Sequence, residues 1–241
     1  MIPKKLLPLL LATVVACMGT ILLIAQPAGA EKAEETSQSQ TAEGRPPSIS
    51  LFDGNTMGKW QSVAFGGEGD VHVAFDGSLT LENGTPLTGV VWTGDKRELP
   101  TSNYEISLEA KKHYGDDFFC GLTLPVGDNF ATFICGGWGG VVVGLSSING
   151  KDASLNETST TMTFENNRWY RLRVRVTDDR ITSWIDDKKV FEVPLAEKKI
   201  SLRSGPIDRC APLGIANFLT RSAFRNIDLR HLDPLPSKDQ P

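Results

Sequence analysis

Histidine and cysteine are scarce in this chain, which has three histidines and four cysteines among 241 residues. Four cysteines are too few to hold a protein of this length together as a disulfide scaffold. An excess of positive charge is also lacking, because 29 acidic residues outnumber 25 basic ones and the formal net charge is −4. Nucleic-acid binding needs a clustered basic surface that displaces counterions, so the charge balance argues against a nucleic-acid partner.

The familiar catalytic motifs are missing as well. The sequence contains no Gly-x-Ser-x-Gly elbow, no His-Glu-x-x-His and no Cys-x-x-Cys. The glycine cluster at residues 136–140 does not fit the dinucleotide-binding fingerprint. Carboxylates are therefore the best candidates for acid and base catalysis.

Apolar residues and glycine are plentiful. Apolar residues make up 40% of the chain, which excludes a wholly disordered protein, and 241 residues can bury a sizeable core. The 23 glycines exceed the usual share and predict many turns.

The first 30 residues predict export. A short basic start, Met1–Lys5, precedes the apolar run Leu6–Ala25 and the small residues Ala28–Ala30. This order is typical of a signal peptide cut after Ala30. The apolar run is also long enough to remain as an uncut membrane anchor, whereas a lipoprotein signal at Cys17 fits less well. In each case the rest of the chain lies in the periplasm, in the cell envelope or outside the cell, and only this segment would contact a membrane.

The remaining chain divides into three parts. Residues 31–48 are polar and predict a flexible linker, and residues 233–241 are a proline-containing loose tail. Residues 49–232 contain no second linker and are interpreted as one domain.

Strand patterns dominate that domain. Tyr104–Lys111 and Tyr170–Val176 both alternate apolar with polar residues, as half-buried antiparallel strands do. Turn pairs such as Asp76-Gly77 and Asn149-Gly150 favour hairpins. Many short strands and almost no helix predict an all-β sandwich.

A two-residue turn at Gly127-Asp128 would place Cys120 directly opposite Cys135. Directly opposed Cβ atoms come close to disulfide range. The pair is therefore either a disulfide or two buried thiols, and Cys210 stays unpaired in both cases.

A second two-residue turn, at Asp178-Asp179, sets another register. It places Arg173 opposite Trp184 and Arg171 opposite Asp186 on one face. An indole beside planar hydrogen-bonding groups, with a cation–π contact, is typical of a sugar-binding face. A plain solvent-exposed face is the alternative.

Several other residues are candidates. Trp138, within the glycine cluster, could protrude and stack on a sugar, or it could be a core residue. Glu105 and Glu109 share a strand face but lie about 13 Å apart, too far for a glycosidase pair at about 5–9.5 Å. His113 and Asp117 flank a connection between strands, which can be functional or simply a solvated turn.

Short motifs in order along the chain resemble those of one family. These are Leu51–Gly54 followed by Trp60, Ser102–Lys111, Arg168–Tyr170 with Trp184–Asp187, Pro212–Ile215 and Phe224–Leu229. Together they resemble the 3-keto-disaccharide hydrolase domain family across residues 49–232. The resemblance implies a concanavalin A-like, laminin-G-like jelly roll.

The same resemblance implies a hydrolase that acts on sugars oxidised at C3. The keto group acidifies the neighbouring C–H, so that a general base can begin an elimination that expels the glycosidic oxygen. Glu109 matches the family's strand glutamate. The family's second acidic strand has no counterpart here, because residues 132–136 carry no carboxylate.

We therefore expect an exported, carbohydrate-active hydrolase that binds a carbohydrate ligand and needs no cofactor or metal. The expected catalytic residues are Glu109 and Asp117, with His113 as an auxiliary, and the expected substrate-binding residues are Trp138, Trp184, Arg173, Arg171 and Asp186. Calcium is an alternative, because loops such as residues 127–129 offer oxygen ligands. The rival hypotheses are a non-catalytic glycan-binding module and a structural envelope domain.

Overall fold

The computed structural model describes residues 47–232 of the chain. The predicted export segment, nearly all of the predicted linker and the C-terminal tail lie outside these residues. No helix within residues 47–232 has the length and apolar character needed to cross a bilayer.

Eight strands form the first sheet, in which neighbouring strands pair antiparallel throughout. In spatial order they are β13 (Lys188–Pro194), β12 (Arg180–Ile185), β11 (Trp169–Val176), β6 (Tyr104–Gly115), β15 (Thr220–His231), β4 (Leu79–Leu81) and β3 (Val71–Val73), while β1 (Ser48–Ser50) also pairs with β15.

Seven strands form the second sheet, again antiparallel. In spatial order they are β10 (Thr160–Thr161), β9 (Val142–Ser146), β8 (Asn129–Gly136), β7 (Cys120–Val126), β14 (Gly214–Phe218), β5 (Leu87–Trp92) and β2 (Trp60–Ser62). Helix is limited in the described residues to the four-residue turn Gly137–Gly140 and the two 3-10 helices Lys96–Glu98 and Pro206–Cys210.

Alternating side chains explain why the two sheets face each other. On β6, Tyr104, Ile106 and Leu108 are buried in the core. Phe119, which directly precedes β7 of the second sheet, and Phe133 on β8 belong to the same apolar cluster. Each sheet thus buries one face against the other, and the predicted all-β, concanavalin A-like jelly-roll sandwich is confirmed.

Both predicted hairpin registers are confirmed. Val126 pairs with Asn129 across the Gly127-Asp128 turn, and Cys120 faces Cys135. Gly127 has a φ of +56°. The first loop residue of a type II′ hairpin turn needs a positive φ, which glycine adopts without steric cost. Across the Asp178-Asp179 turn, Arg173 faces Trp184 as predicted.

The three described cysteines, Cys120, Cys135 and Cys210, are free and buried thiols. Burial raises the pKa of the Cys120 and Cys135 thiols well above their ordinary value and that of Cys210 to about 12. Since the thiolate is the reactive form, the folded protein should react slowly with alkylating reagents.

We therefore expect all three cysteines to be alkylated after the protein is unfolded in denaturant without reductant. Peptide mapping by mass spectrometry measures the label at each position. A disulfide-linked peptide joining Cys120 and Cys135 would contradict this expectation. Cys210 is the internal control, because neither hairpin register places it opposite another cysteine.

Candidate functional site

The outer side of the eight-stranded sheet, opposite the core, carries an array of charged side chains that we call the arginine face. The inward residues of β6 and β11 alternate with outward ones, so each strand adds a charged or polar side chain at every second position. The arginine face consists of Glu105 and Glu109 on β6, Arg171, Arg173 and Arg175 on β11, Trp184 on β12, and Arg225, Asp228 and Arg230 on β15.

Glu105 lies at the centre of this face, and its side chain is only 4% exposed. Its Oε2 accepts hydrogen bonds from Arg175 Nη2 at 2.8 Å and from Arg173 Nη1 at 3.2 Å. Arg230 Nη1 lies 3.4 Å from its other carboxylate oxygen, Oε1. One buried carboxylate therefore holds three guanidinium groups, from two strands, in fixed positions.

Glu109 lies two outward positions along β6 from Glu105 and is more accessible, with 27% of its side chain exposed. Its Oε2 accepts a hydrogen bond from Arg225 Nε at 2.5 Å. The second oxygen, Oε1, accepts no hydrogen bond from the residues that the structure describes. Glu109 is therefore a carboxylate with one oxygen fixed and the other free to take a proton.

A bulge in β15 brings a further carboxylate to the same face. Arg225 pairs with Glu109 and Asp228 pairs with Ser107, so three steps along β15 match two along β6. Asn226, in the bulge, has a φ of +52°. Burial raises the pKa of Asp228 above its ordinary value. Asp228 pairs with Ser107, two positions from Glu109 on β6, and the backbones of such diagonal neighbours lie about 7–8 Å apart in a regular sheet.

Two depressions border this array. The first has a volume of about 170 Å³. Its lining consists of Glu105, Ser107, Arg171, Arg173, Asp187 and Arg230. The second has a volume of about 260 Å³ and lies beside Trp184, Arg175 and Glu192. The Arg173 guanidinium lies 4.0 Å from the Trp184 ring centroid, which confirms the predicted cation–π contact.

The predicted pairing of Arg171 with Asp186 needs correction. Asp186 does lie beside Arg171, because Asp186 Oδ1 accepts a hydrogen bond from the Arg171 backbone N–H at 2.9 Å. The Arg171 guanidinium, however, bonds to Asp187, while Asp186 bonds to Arg168 at 2.6 Å. Asp186 and Asp187 have φ of +48° and +64°, so both belong to a tight turn and do not alternate as strand residues would.

The predicted site residues do not all come together. His113 lies on β6 four residues beyond Glu109, about 13 Å along the strand, and its Nδ1 is 2.9 Å from Asn167 Oδ1. Burial lowers the pKa of His113. Asp117 and Trp138 line a different depression, formed by loops at one end of the sandwich. Because six strand residues separate Glu109 from the end of β6, about 20 Å, Asp117 is too distant to act with it.

Residues that could bind a metal ion do not cluster in the part of the chain that the structure describes. Within residues 47–232, no three His, Cys, Asp or Glu side chains form a group that could hold a metal ion. The calcium suggested for residues 127–129 remains an untested alternative.

Sequence reasoning missed five members of the site, which are Glu105, Arg175, Arg225, Asp228 and Arg230. The spacing of apolar residues on β15 does indicate an irregular strand. The buried residues Phe224 and Ile227 are three positions apart, whereas Ile227 and Leu229 are two positions apart. That change of spacing marks the bulge. The pairing of β15 with β6 has no local signal, because it joins residues more than 100 positions apart.

No curated protein matches the chain by sequence. Among solved structures, the carbohydrate-binding module CBM66 from Bacillus subtilis is 14% identical with a TM-score of 0.46, and the alignment covers 74% of this chain and 99% of that one. Domain 4 of AbnA, an extracellular arabinanase from Geobacillus stearothermophilus, is also 14% identical with a TM-score of 0.46, covering 75% of this chain and 86% of that one.

One family model matches the chain, over residues 47–230. The model is that of the 3-keto-disaccharide hydrolase family, and its description is a 3-keto-alpha-glucoside-1,2-lyase-like domain. The match spans almost the whole of the sandwich, from β1 to the last residues of β15. The chain therefore belongs to the 3-keto-alpha-glucoside-1,2-lyase-like domain family.

Proposed function

We propose that this domain is a carbohydrate-active enzyme that cleaves 3-keto-glycosides by elimination on the arginine face. The observation that carries the proposal is Glu109, a carboxylate with one oxygen free of hydrogen bonds, which pairs with Arg171 on one neighbouring strand and with Arg225 on the other. A base beside cationic hydrogen-bond donors suits the removal of a proton next to a carbonyl group, since the resulting enolate oxygen needs stabilisation.

The proposed reaction begins with proton transfer from C2 of the keto-sugar to Glu109 Oε1. The electrons of the broken C–H bond form a C1–C2 double bond by way of the enolate, and the C1–O glycosidic bond breaks. Arg171 and Arg173, which line the smaller depression, are assigned to the C3 carbonyl oxygen, where negative charge develops. The elimination consumes no water, and no redox partner takes part.

Asp228 is assigned the role of general acid. Burial raises the pKa of this carboxyl group, which favours the protonated form that can donate to the departing glycosidic oxygen. A separation of about 7–8 Å from Glu109 leaves room for one sugar ring between the two groups. Proton removal and proton donation would then occur on opposite sides of that ring.

Trp184 is proposed to bind the sugar beyond the cleaved bond. It borders the second depression, and the guanidinium groups of Arg173 and Arg175 lie 4.0 and 5.4 Å from its ring centroid. We expect Trp184→Ala to weaken the binding of a 3-keto-α-glucoside by about tenfold, because a buried aromatic contact contributes at least this much. Isothermal titration calorimetry measures the affinity.

Phe75→Ala is the matched control for that substitution, since Phe75 is a fully exposed aromatic side chain on the turn between β3 and β4. Its affinity should equal that of the unmodified protein. Equal affinities for Trp184→Ala and Phe75→Ala would remove Trp184 from the binding surface.

A binding-only function is the second candidate, favoured by a specific observation. Strand β8 (Asn129–Gly136) carries no acidic residue, although the family's corresponding strand is acidic. A domain that has lost part of the catalytic set could keep the arginine face for recognition alone. The export segment predicted at residues 1–30 supports placing either activity outside the cytoplasm.

One experiment separates these functions. The full chain is incubated with a 3-keto-α-glucoside, and release of the aglycone and formation of the unsaturated keto-sugar are followed by chromatography, alongside calorimetric binding. Formation of both products supports the enzyme. Saturable binding without either product supports the binding module and rejects the elimination, and neither signal rejects both.

A further inference from the structure

A third depression lies at the loop end of the sandwich, and the arginine face contributes none of its lining residues. We call it the loop-end depression. It has a volume of about 220 Å³ and is lined by Asp117, Phe118, Trp138, Arg203 and Phe218. This volume is below the range of about 300–1,000 Å³ typical of drug-sized ligand pockets, so it suits one small ring.

Trp138 occupies a backbone conformation that disfavours it. Its φ is +47° and its ψ is 64°, a left-handed conformation that glycine adopts freely and bulky side chains adopt at a cost. Gly139 and Gly140, which follow it, have similar positive φ values. A glycine at position 138 would relieve the strain, yet a tryptophan stands there with 36% of its surface exposed. Strain retained at an exposed aromatic residue points to function.

The floor beneath Trp138 is fixed by two hydrogen bonds to backbone carbonyl oxygens. Phe218 N donates to Phe118 O at 3.0 Å, and Thr220 Oγ1 donates to Asp117 O at 3.0 Å. The rings of Phe118 and Phe218 lie 5.7 Å apart, between centroids. A rigid apolar floor lowers the entropy that a ligand loses on binding, because little of the protein must be ordered.

Polar groups stand at the rim. Asp117 Oδ1 accepts a hydrogen bond from the Phe118 backbone N–H at 2.8 Å, which orients the carboxylate. The other oxygen, Oδ2, accepts none from the residues within 47–232. Arg203 lies 5.8 Å from the Trp138 ring centroid, and its Nε is 3.3 Å from Asp152 Oδ2. The Asp117 carboxylate, a hydrogen-bond acceptor, and the Arg203 guanidinium, a hydrogen-bond donor, thus both lie beside the Trp138 indole.

We propose that the loop-end depression is a second carbohydrate-binding site, which takes one neutral sugar ring stacked on Trp138. The axial C–H groups of a pyranose suit the indole, while Asp117 Oδ2 accepts hydrogen bonds from sugar hydroxyls and Arg203 donates to them. Carboxylates outnumber guanidinium groups at this rim, counting Asp152, so an acidic sugar is disfavoured.

This site works independently of the arginine face, whether that face is catalytic or only binds. Its residues come from the loops after β6 and β8, from the loop after β13 and from the end of β14. One chain would then contact a polysaccharide at two points. Joining two modest affinities in one molecule raises the overall affinity, because the second contact becomes intramolecular.

The test titrates methyl α-glucoside, methyl α-galactoside and methyl α-mannoside into the full chain, with methyl α-glucuronide as the charged comparison. Nuclear magnetic resonance follows the indole N–H signal of Trp138, assigned by its loss in Trp138→Phe. We expect a saturable shift with at least one neutral glycoside and a smaller one with the glucuronide. Trp138→Gly should weaken that binding by about tenfold or more, measured by calorimetry.

Thermal unfolding distinguishes a binding role from a structural one. We expect the Tm of Trp138→Gly to equal or exceed that of the unmodified chain, because glycine relieves the left-handed strain. Phe75→Ala, which removes another exposed aromatic side chain, should leave binding unchanged. A lower Tm of Trp138→Gly with unchanged sugar affinity would overturn the proposal, as would the absence of a saturable shift with every neutral glycoside.

Discussion

Glu109→Gln is expected to slow the elimination of a 3-keto-α-glucoside by about 10²- to 10⁴-fold, the usual contribution of a general base. The amide cannot accept the proton from C2, although it keeps the shape of the side chain and can still accept a hydrogen bond from Arg225. The affinity for the substrate should change much less than kcat. Initial rates of product formation and calorimetric affinities measure the two effects separately.

Glu82→Gln is the matched control for this substitution. Glu82 bonds to Arg221 at 2.8 Å, with both side chains 30% exposed, so it resembles the Glu109–Arg225 pair in geometry and exposure. Its partner Arg221 lies four residues before Arg225 on β15, and neither Glu82 nor Arg221 belongs to the arginine face. We expect nearly unchanged kcat in Glu82→Gln. Similar rates in both variants would remove Glu109 from the role of base, and the site would then have to be sought elsewhere.

Glu105→Ala is expected to lower the free energy of unfolding by about 3 kcal/mol, at the lower end of the range for breaking a buried ion pair. The loss of this carboxylate leaves Arg173, Arg175 and Arg230 close together without a counter-charge. These guanidinium groups are partly exposed, and solvent screening limits the cost. Denaturant unfolding measures the change, which for a domain of this size corresponds to a lower Tm by about 6–12 °C.

Glu192→Ala serves as the comparison. Glu192 also bonds to more than one cation, Arg180 and Lys189, but its side chain is 36% exposed. Exposed ion pairs contribute about 0–1 kcal/mol, so this variant should unfold almost as the unmodified protein does. If Glu105→Ala and Glu192→Ala destabilised the protein equally, burial of Glu105 would have no special role in holding the arginines.

The sequence predicted much of the fold because the informative patterns are local. The alternation of Tyr104–Lys111 and Tyr170–Val176 identified half-buried strands, and two-residue turns then determined which residues face each other. A hairpin register needs only the position of its turn. The exception was the turn at Asp186 and Asp187, where positive φ at both residues ends the alternation.

The candidate site could be predicted only in part, because it combines strands that are distant in sequence. Arg173 and Trp184 lie on one hairpin and were found together. Glu109 needs Arg225 from β15, and that pairing depends on the order of strands in the sheet. Asp117 and Trp138 were assigned to the same site as Glu109, but they line the loop-end depression instead. The spacing of residues along one strand does not show which residues of distant strands lie beside it.

The bulge at Asn226 sets a limit on how β15 can change. Deleting Asn226 would restore strict alternation and leave every side chain on its present face, because two steps along β15 would then match two along β6. Flattening the bulge without losing a residue would instead turn the side chains on one side of it to the other sheet face, because Arg225 and Asp228 are three positions apart. Either Arg225 or the pair Asp228 and Arg230 would then point into the core. The positive φ of Asn226 therefore keeps both sets of side chains outward, and β-branched residues, which disfavour a positive φ, should be disfavoured at position 226. Relatives with the same site should therefore carry glycine, asparagine or aspartate at this position, or have a strand that is one residue shorter here.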